Sequence, residues 1–176
     1  LNIPVATTFM AKGVMPARHP NTLGVIGFMR HDYENFAFDA ADVVLSVGYE
    51  LQEFAPSRIN PHGDKTIIHV HRFAEDVDAA YPVAVAVEAD IGAALDAFVA
   101  AFEAQPAGPF TVDAKIREIV EEERQDGATN DSFPLVPQRI VADIRAALDD
   151  DDIVLADTGA IKMWMARLYT AQKPLT

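Results

Sequence analysis

The stretch DVVLSVG (42–48) is apolar at every position between its aspartate and its glycine except Ser46. A strand sends alternate side chains to opposite faces, so a run that is apolar at both parities has no solvent face. Such strands belong inside a parallel sheet covered by helices. TIIHVHRF (66–73) and PVAVAVEAD (82–90) read as two more strands. The second is followed at once by IGAALDAFVAAFEA (91–104), whose apolar residues recur every three or four positions, the period of a helix. Upstream, IPVATTF (3–9) is a β-rich run leading into the loop MAKG. VMPARHPNTLG (14–24) is predicted to be irregular, and VIG (25–27) is a short apolar element. HDYENFAFDA (31–40) predicts a short amphipathic helix with Tyr33, Phe36 and Ala37 on its apolar side. Short strands alternating with helices predict an α/β fold, a three-layer doubly wound parallel sheet over 1–104. Ligands in such folds sit beyond the carboxyl ends of the strands, where TFMAKG, VGYELQEF and HVHRF fall.

QPAGP (105–109) is the clearest linker, followed by a charged helix over 111–125 and a polar loop over 126–134. VPQRIVADIRAALDD (136–150) predicts an amphipathic helix with Pro137 in its first turn, where proline is tolerated. DIVLAD (152–157) reads as a closing strand, then a tight turn at Thr158 and Gly159, then a second amphipathic helix. The expected organisation is one domain over 1–104, a connecting segment over 105–135, and the opening of a second α/β unit over 136–176.

Charge narrows the function. With 27 acidic and 14 basic residues the net charge is −13, which argues against a nucleic-acid backbone as partner. The chain has no cysteine, so thiolate catalysis, disulfides and cysteine-type zinc sites are excluded, in keeping with a cytoplasmic location. No apolar run approaches the about 20 residues that span a bilayer, so no membrane is expected as a partner.

Several residues carry potential chemistry. Gly159 allows close backbone approach at a helix start, where N–H groups attract anions; taken alone it is also an ordinary strand-to-helix turn. Asp157 is better placed to cap the following helix than to face a ligand. Lys12 offers a positive charge to a diphosphate or carboxylate, or is a solvated loop lysine. His69 and His71, spaced i and i+2, point to one face of their strand; adding His62 raises a metal site, which two histidines alone support weakly. Asp149–Asp152 reads as a solvated turn rather than a calcium loop, which needs interleaved glycine. Met163 and Trp164 read as packing residues, and Arg18, His19, Arg30 and His31 as surface or interdomain groups.

IPVATTFMAKGVMPARHPNTLG resembles the central domain of thiamine-diphosphate enzymes of the acetolactate synthase family, with its I-P-V-x-T-T-x-x-G-K-G run and P-x-x-H-P-x-x-x-G loop. DVVLSVGYELQEFAPSRINPHGDKTIIHVHRF is similar to the family's D-L-V-x-x-x-G-Y-D strand–loop–strand. SFPLVPQRIVADIRAALDDDDIVLADTGAIKMWMARLY is similar to its passage into the diphosphate-binding domain, P-x-x-P-Q-R-I, a helix, then D-x-G-x-x-x-M-W. Matched blocks in the right order across the chain are more specific than any one motif.

The resemblance implies a Rossmann-like central domain lacking its first strand and helix, followed by the start of the cofactor domain. It implies a parent enzyme that condenses two pyruvates with loss of CO2 using thiamine diphosphate and Mg2+, and that is homo-oligomeric. Thr158, Gly159, Ala160 and Ile161 take the positions that approach the cofactor diphosphate. Met10, Lys12 and Gly13 take those at the active-site entrance. The family's activating glutamate and its G-D-G…N metal motif fall outside these residues, so the chain by itself is expected to be inactive and to work with the missing domains of its parent. An uncovered strand edge and sheet face are expected too.

Three departures stand out. Ile161 replaces a polar residue, commonly histidine. HVHRF replaces the I-D-I-D-P of flavin-binding relatives, and GYELQEF their G-x-R-F-D-D-R, so FAD is not expected. The rival readings are another carboligase or decarboxylase of the superfamily, such as an oxalyl-CoA decarboxylase or glyoxylate carboligase relative, and a non-catalytic dinucleotide-binding or interaction module. No G-x-G-x-x-G supports the module.

Overall fold

The computed structural model describes residues 2–27, 33–74, 78–104 and 114–176. Strands β1 (Val5–Thr7) and β2 (Thr22–Val25) pair in parallel, with a register shift between Val5 and Ala6. Strands β3 (Val43–Val47), β4 (Thr66–His71) and β5 (Val83–Glu88) form a second parallel sheet in the order β3-β4-β5. The parallel α/β class expected from the apolar runs is therefore present. It is divided into two short sheets among the described residues rather than one continuous ladder. Just past β2, Gly27 donates its N–H to Asn35 Oδ1 and accepts from Arg58 Nη1 at its carbonyl.

The helices are α1 (Tyr33–Asp39), α2 (Ile91–Ala104), α3 (Ala114–Thr129), α4 (Pro137–Ala147) and α5 (Ala160–Leu168). None among the described residues is long and apolar enough to cross a membrane. Asp90 starts α2 by accepting the Ala93 N–H with its carboxylate, and Pro137 occupies the first turn of α4 as expected. The linker QPAGP, together with Arg30 and His31, lies outside the described residues.

Several expectations are corrected. In α1, among the described side chains, Asn35 is buried and bonded to the Gly27 N–H, Ala37 is half-buried and Phe36 is exposed; the side chain of Tyr33 lies outside the described ones. The strand β2 begins at Thr22, inside the stretch expected to be irregular, because Thr22 is tied to His19 O and Pro16 O. Helix α3 runs through Gly127 to Thr129, where a polar loop was expected. A Cβ on Gly127 would lie 2.6 Å from Gln138 Cβ, so the glycine serves close approach of α3 to α4 rather than chain termination.

DIVLAD is extended but forms no strand, since no partner lies alongside it among the described residues. Val154 and Ala156 pack on a core of Val141, Met165, Leu168, Tyr169 and Ala171. Ile153 and Leu155, on the other side, are exposed, Leu155 at 92%. The alternation expected of a strand is kept; the ladder is not. The second sheet also departs from full coverage. Val70 is fully buried, but Val43, Leu45, Val47 and Val85 remain exposed. The register Leu45–Ile68–Val85 puts these residues on one face.

Candidate functional site

Helix α5 is organised oppositely at its two ends. Its N-cap, Gly159, has φ 120 and ψ −161, a conformation essentially reserved for glycine. No side chain caps this end, and a Cβ on Gly159 would meet nothing within 4 Å. Thr158, Gly159, Ala160 and Ile161 are all exposed. Asp157 does not cap the helix: its Oδ1 accepts the Thr158 N–H at 2.6 Å, one residue too early to reach the helical donors. What remains is a helix start whose backbone N–H groups face solvent, beside a residue without Cβ. It is chemically suited to an anion approached through backbone alone, because Ile161 brings no polar side chain.

The other end of α5 is closed. The Tyr169 N–H donates to Met165 O at 3.2 Å. Lys12 Nζ donates to Ala166 O at 2.6 Å. Arg124 donates through Nη2 to Arg167 O at 3.4 Å and through Nε to Leu168 O at 3.2 Å. The last four carbonyls of the helix, which have no intrahelical partner by construction of an α-helix, are thus all engaged. The two predicted groups therefore both reach α5, but at opposite ends. Met10 is exposed, Lys12 is spent on a carbonyl, and Gly13 is buried against Lys173 and Ala171 with φ +90. At the first turn of α5, Lys162 Nζ lies 4.8 Å from the centre of the Phe9 ring. Trp164 flanks the core as expected; Met163 does not pack but is exposed, Met165 filling that role. Arg18 reaches across to Gln172 and Asp150.

A second concave region lies beyond the carboxyl ends of β3 and β4, a cleft of about 240 Å3. His69 and His71 share one face, as their spacing requires, with rings 5.6 Å apart and nearly parallel. His69 Nδ1 and Tyr81 Oη are 2.9 Å apart. Burial pushes both the Tyr49 and Tyr81 phenols above their ordinary value, so both are neutral at physiological pH. His71 Nδ1 accepts the Phe73 N–H at 3.1 Å, which leaves Nε2 facing Glu50 Oε1 at 3.8 Å. Nε2 then carries the proton of the neutral ring and cannot offer a lone pair to a metal. His62 is exposed in the turn before β4, and no cluster of three or more metal-ligating side chains occurs among the described residues. Among the described residues no lysine or arginine lines the cleft. Sequence reading missed Tyr81; its only signal was an aromatic residue immediately before the β5 proline. It also missed Arg124, which looked like one charge among many on α3.

The acidic run forms a turn closed on itself and on neighbouring cations. Asp152 Oδ2 accepts the Asp149 N–H, Asp150 pairs with Arg18, and Asp151 with Lys173.

A model of the central domain of thiamine pyrophosphate enzymes matches residues 1–98. Acetolactate synthase of Bacillus subtilis (strain 168) is 29% identical over 182 residues, covering 100% of this chain and 31% of the relative. A probable acetolactate synthase large subunit of Methanococcus aeolicus is 27% identical over 195 residues, covering 99% of this chain and 32% of the relative. Acetolactate synthase isozyme 1 large subunit of Escherichia coli (strain K12) is 25% identical over 176 residues, covering 98% and 30%. The chain spans less than a third of the length of each of these relatives.

Proposed function

Because the chain belongs to the thiamine pyrophosphate enzymes, matched through their central domain, we propose that it forms part of an acetolactate synthase that condenses two pyruvates with release of CO2. The carrying observation is the open first turn of α5. Of Thr158, Gly159, Ala160 and Ile161, which take the family's diphosphate-facing positions, the last three present backbone N–H groups, the Thr158 N–H being held by Asp157, and Gly159 clears the approach. Thiamine diphosphate, held with Mg2+, supplies the nucleophilic carbon and electron sink when bound. The protein's own part here is to bind and orient: backbone donors hold the anion, and the closed end of α5 keeps them in place.

In this reading the 176 residues do not turn over alone, and catalysis needs the remaining domains of the same polypeptide in a cytoplasmic homo-oligomer. Neither cleft residues nor charge favour FAD. The cleft beyond β3 and β4 is lined by aromatic and imidazole groups, His69 bonded to Tyr81, with Glu50 at its rim and, among the described residues, no lysine or arginine for a flavin diphosphate. Met10 and Gly13 belong to the loop that borders the active-site entrance. A role in branched-chain amino acid biosynthesis is one use of such an enzyme.

The test is to incubate the intact protein carrying this chain with pyruvate, thiamine diphosphate and Mg2+. Acetolactate formed by a colourless protein is the expected result. Cofactor binding without pyruvate consumption would move the assignment to another carboligase or decarboxylase. Failure to bind the cofactor would leave the interaction-module reading instead.

A further inference from the structure

We propose that Lys12 is a positioning residue: with Arg124 it forms a two-cation cap on the C-terminal end of α5, which holds the helix so that its opposite end can receive the diphosphate. The significance for catalysis rests on the function proposed above; the cap itself does not.

A helix ends in a set of unpaired carbonyls carrying partial negative charge, and cations there are stabilising. In α5 that end receives two cations from distant parts of the chain. Lys12 comes from the loop after β1, 154 residues away in sequence from the carbonyl it reaches. Arg124 comes from α3 and takes the next two carbonyls. Arg167, on α5 itself, is tied back to α3 through Glu123 at 2.7 Å. Together these contacts leave the helix fixed at its negative end from two sides. The positive end has no side-chain cap.

The loop that carries Lys12 is itself anchored. Gly13 at φ +90 sits where any side chain would strike the Lys173 carbonyl, and Ala17 N–H donates to Ala171 O at 3.0 Å. Phe9, three residues before Lys12, meets Lys162 in the first turn of α5. The loop after β1 therefore touches α5 near both ends. A lysine engaged at 2.6 Å with a carbonyl of the last turn points away from the exposed residues 158–161, so its charge acts on the ligand end through the helix rather than by contact.

The test compares Lys12→Met and Lys12→Arg in the intact protein by amide hydrogen exchange, cofactor binding and steady-state kinetics. Lys12→Met is expected to speed exchange across α5 while α4 is unchanged. It is expected to raise the Kd for thiamine diphosphate by about three- to tenfold, leaving KM for pyruvate and kcat at saturating cofactor unaltered. Lys12→Arg, which keeps a cation on the carbonyl, is expected to restore both exchange and Kd. A raised KM for pyruvate with unchanged α5 exchange would make Lys12 a substrate contact and overturn the proposal. So would exchange and Kd that do not respond to Lys12→Met. If Lys12→Met does not fold, failure of Lys12→Arg to keep wild-type exchange and Kd decides against the cap. Faster α5 exchange in a protein whose wild type binds no thiamine diphosphate supports the cap while refuting the functional reading on which its catalytic meaning depends.

Discussion

His69 Nδ1 and Tyr81 Oη meet at 2.9 Å with both side chains buried, so one phenol links β4 to the turn before β5. Tyr81→Phe keeps the ring and its edge contact with His69 but removes this hydroxyl. Loss of one partner from a buried polar contact costs about 1–3 kcal/mol. The expected outcome is a fall of that size in urea unfolding free energy with an unchanged m-value. Wild-type stability in the variant would show that the hydroxyl is not a structural link.

Asp90 sets a pH dependence. The Ala93 N–H is the larger cause, with Arg72 assisting, of a carboxyl held below its ordinary value of 3.8. Since the folded pKa is the lower one, the stabilisation is present above the unfolded value and is lost as pH falls through the folded value. Asp90→Asn should therefore lower the melting temperature at neutral pH and have a diminishing effect below about pH 4, the range where carboxylates protonate. A difference between variant and wild type that stays constant down to pH 2 would contradict the N-terminal role of Asp90 in α2.

Gly127 opposes helix propensity with packing. Replacing a helical glycine by alanine normally gains up to about 1 kcal/mol, less in a last turn such as this one. Here the new methyl would lie 2.6 Å from Gln138 Cβ and 3.2 Å from the Gln138 carbonyl carbon, so the helices must separate. Overpacking costs about 1–3 kcal/mol, which outweighs the propensity gain. Gly127→Ala is expected to lower the melting temperature; a rise would mean that α3 and α4 yield without cost.

Leu168 tests the core around α5. It is buried with Val141, Met165, Tyr169 and Ala171, where Arg145 lies 5.2 Å from the Tyr169 ring centre. Leu168→Ala should cost about 2–5 kcal/mol, the range for cavity-forming truncations. Calorimetry of the two proteins checks it.

What could be read in the sequence follows from the range of each interaction. The apolar runs at 42–48, 66–73 and 82–90 report membership of a sheet, and the parallel pairing followed from them, but not its coverage, since Val43, Leu45, Val47 and Val85 are exposed. His69 and His71 share a face because a two-residue period needs no tertiary information. Leu155 shows the limit: its alternation with Val154 and Ala156 was legible, but a ladder depends on a second strand. In α1 Asn35 is buried and Phe36 exposed, and Asn35 accepts from a backbone N–H eight residues away, a contact that the apolar pattern does not report. Lys12 was legible as a charge in a loop at a strand end. Its partner, Ala166 O, is a backbone group that every residue possesses, so no sequence signal could have singled it out. The first turn of α5 was found through Gly159, the residue whose backbone conformation its identity reports.

Gly159 allows space and conformation to be separated. Nothing lies within 4 Å of the Cβ that alanine would add, so Gly159→Ala creates no clash. Its φ of 120 with ψ of −161 is nonetheless closed to alanine, and holding a side-chain-bearing residue there costs about 1–3 kcal/mol. The backbone is expected to relax instead, turning the Thr158 and Ala160 N–H groups and shifting the start of α5. The variant should therefore show altered amide chemical shifts confined to residues 157–162 and a modest loss of stability. In the intact protein it should show weakened thiamine diphosphate binding with little change in the remainder of the fold. Unaltered shifts at 157–162 together with wild-type cofactor binding would show that this turn neither needs glycine nor meets the diphosphate.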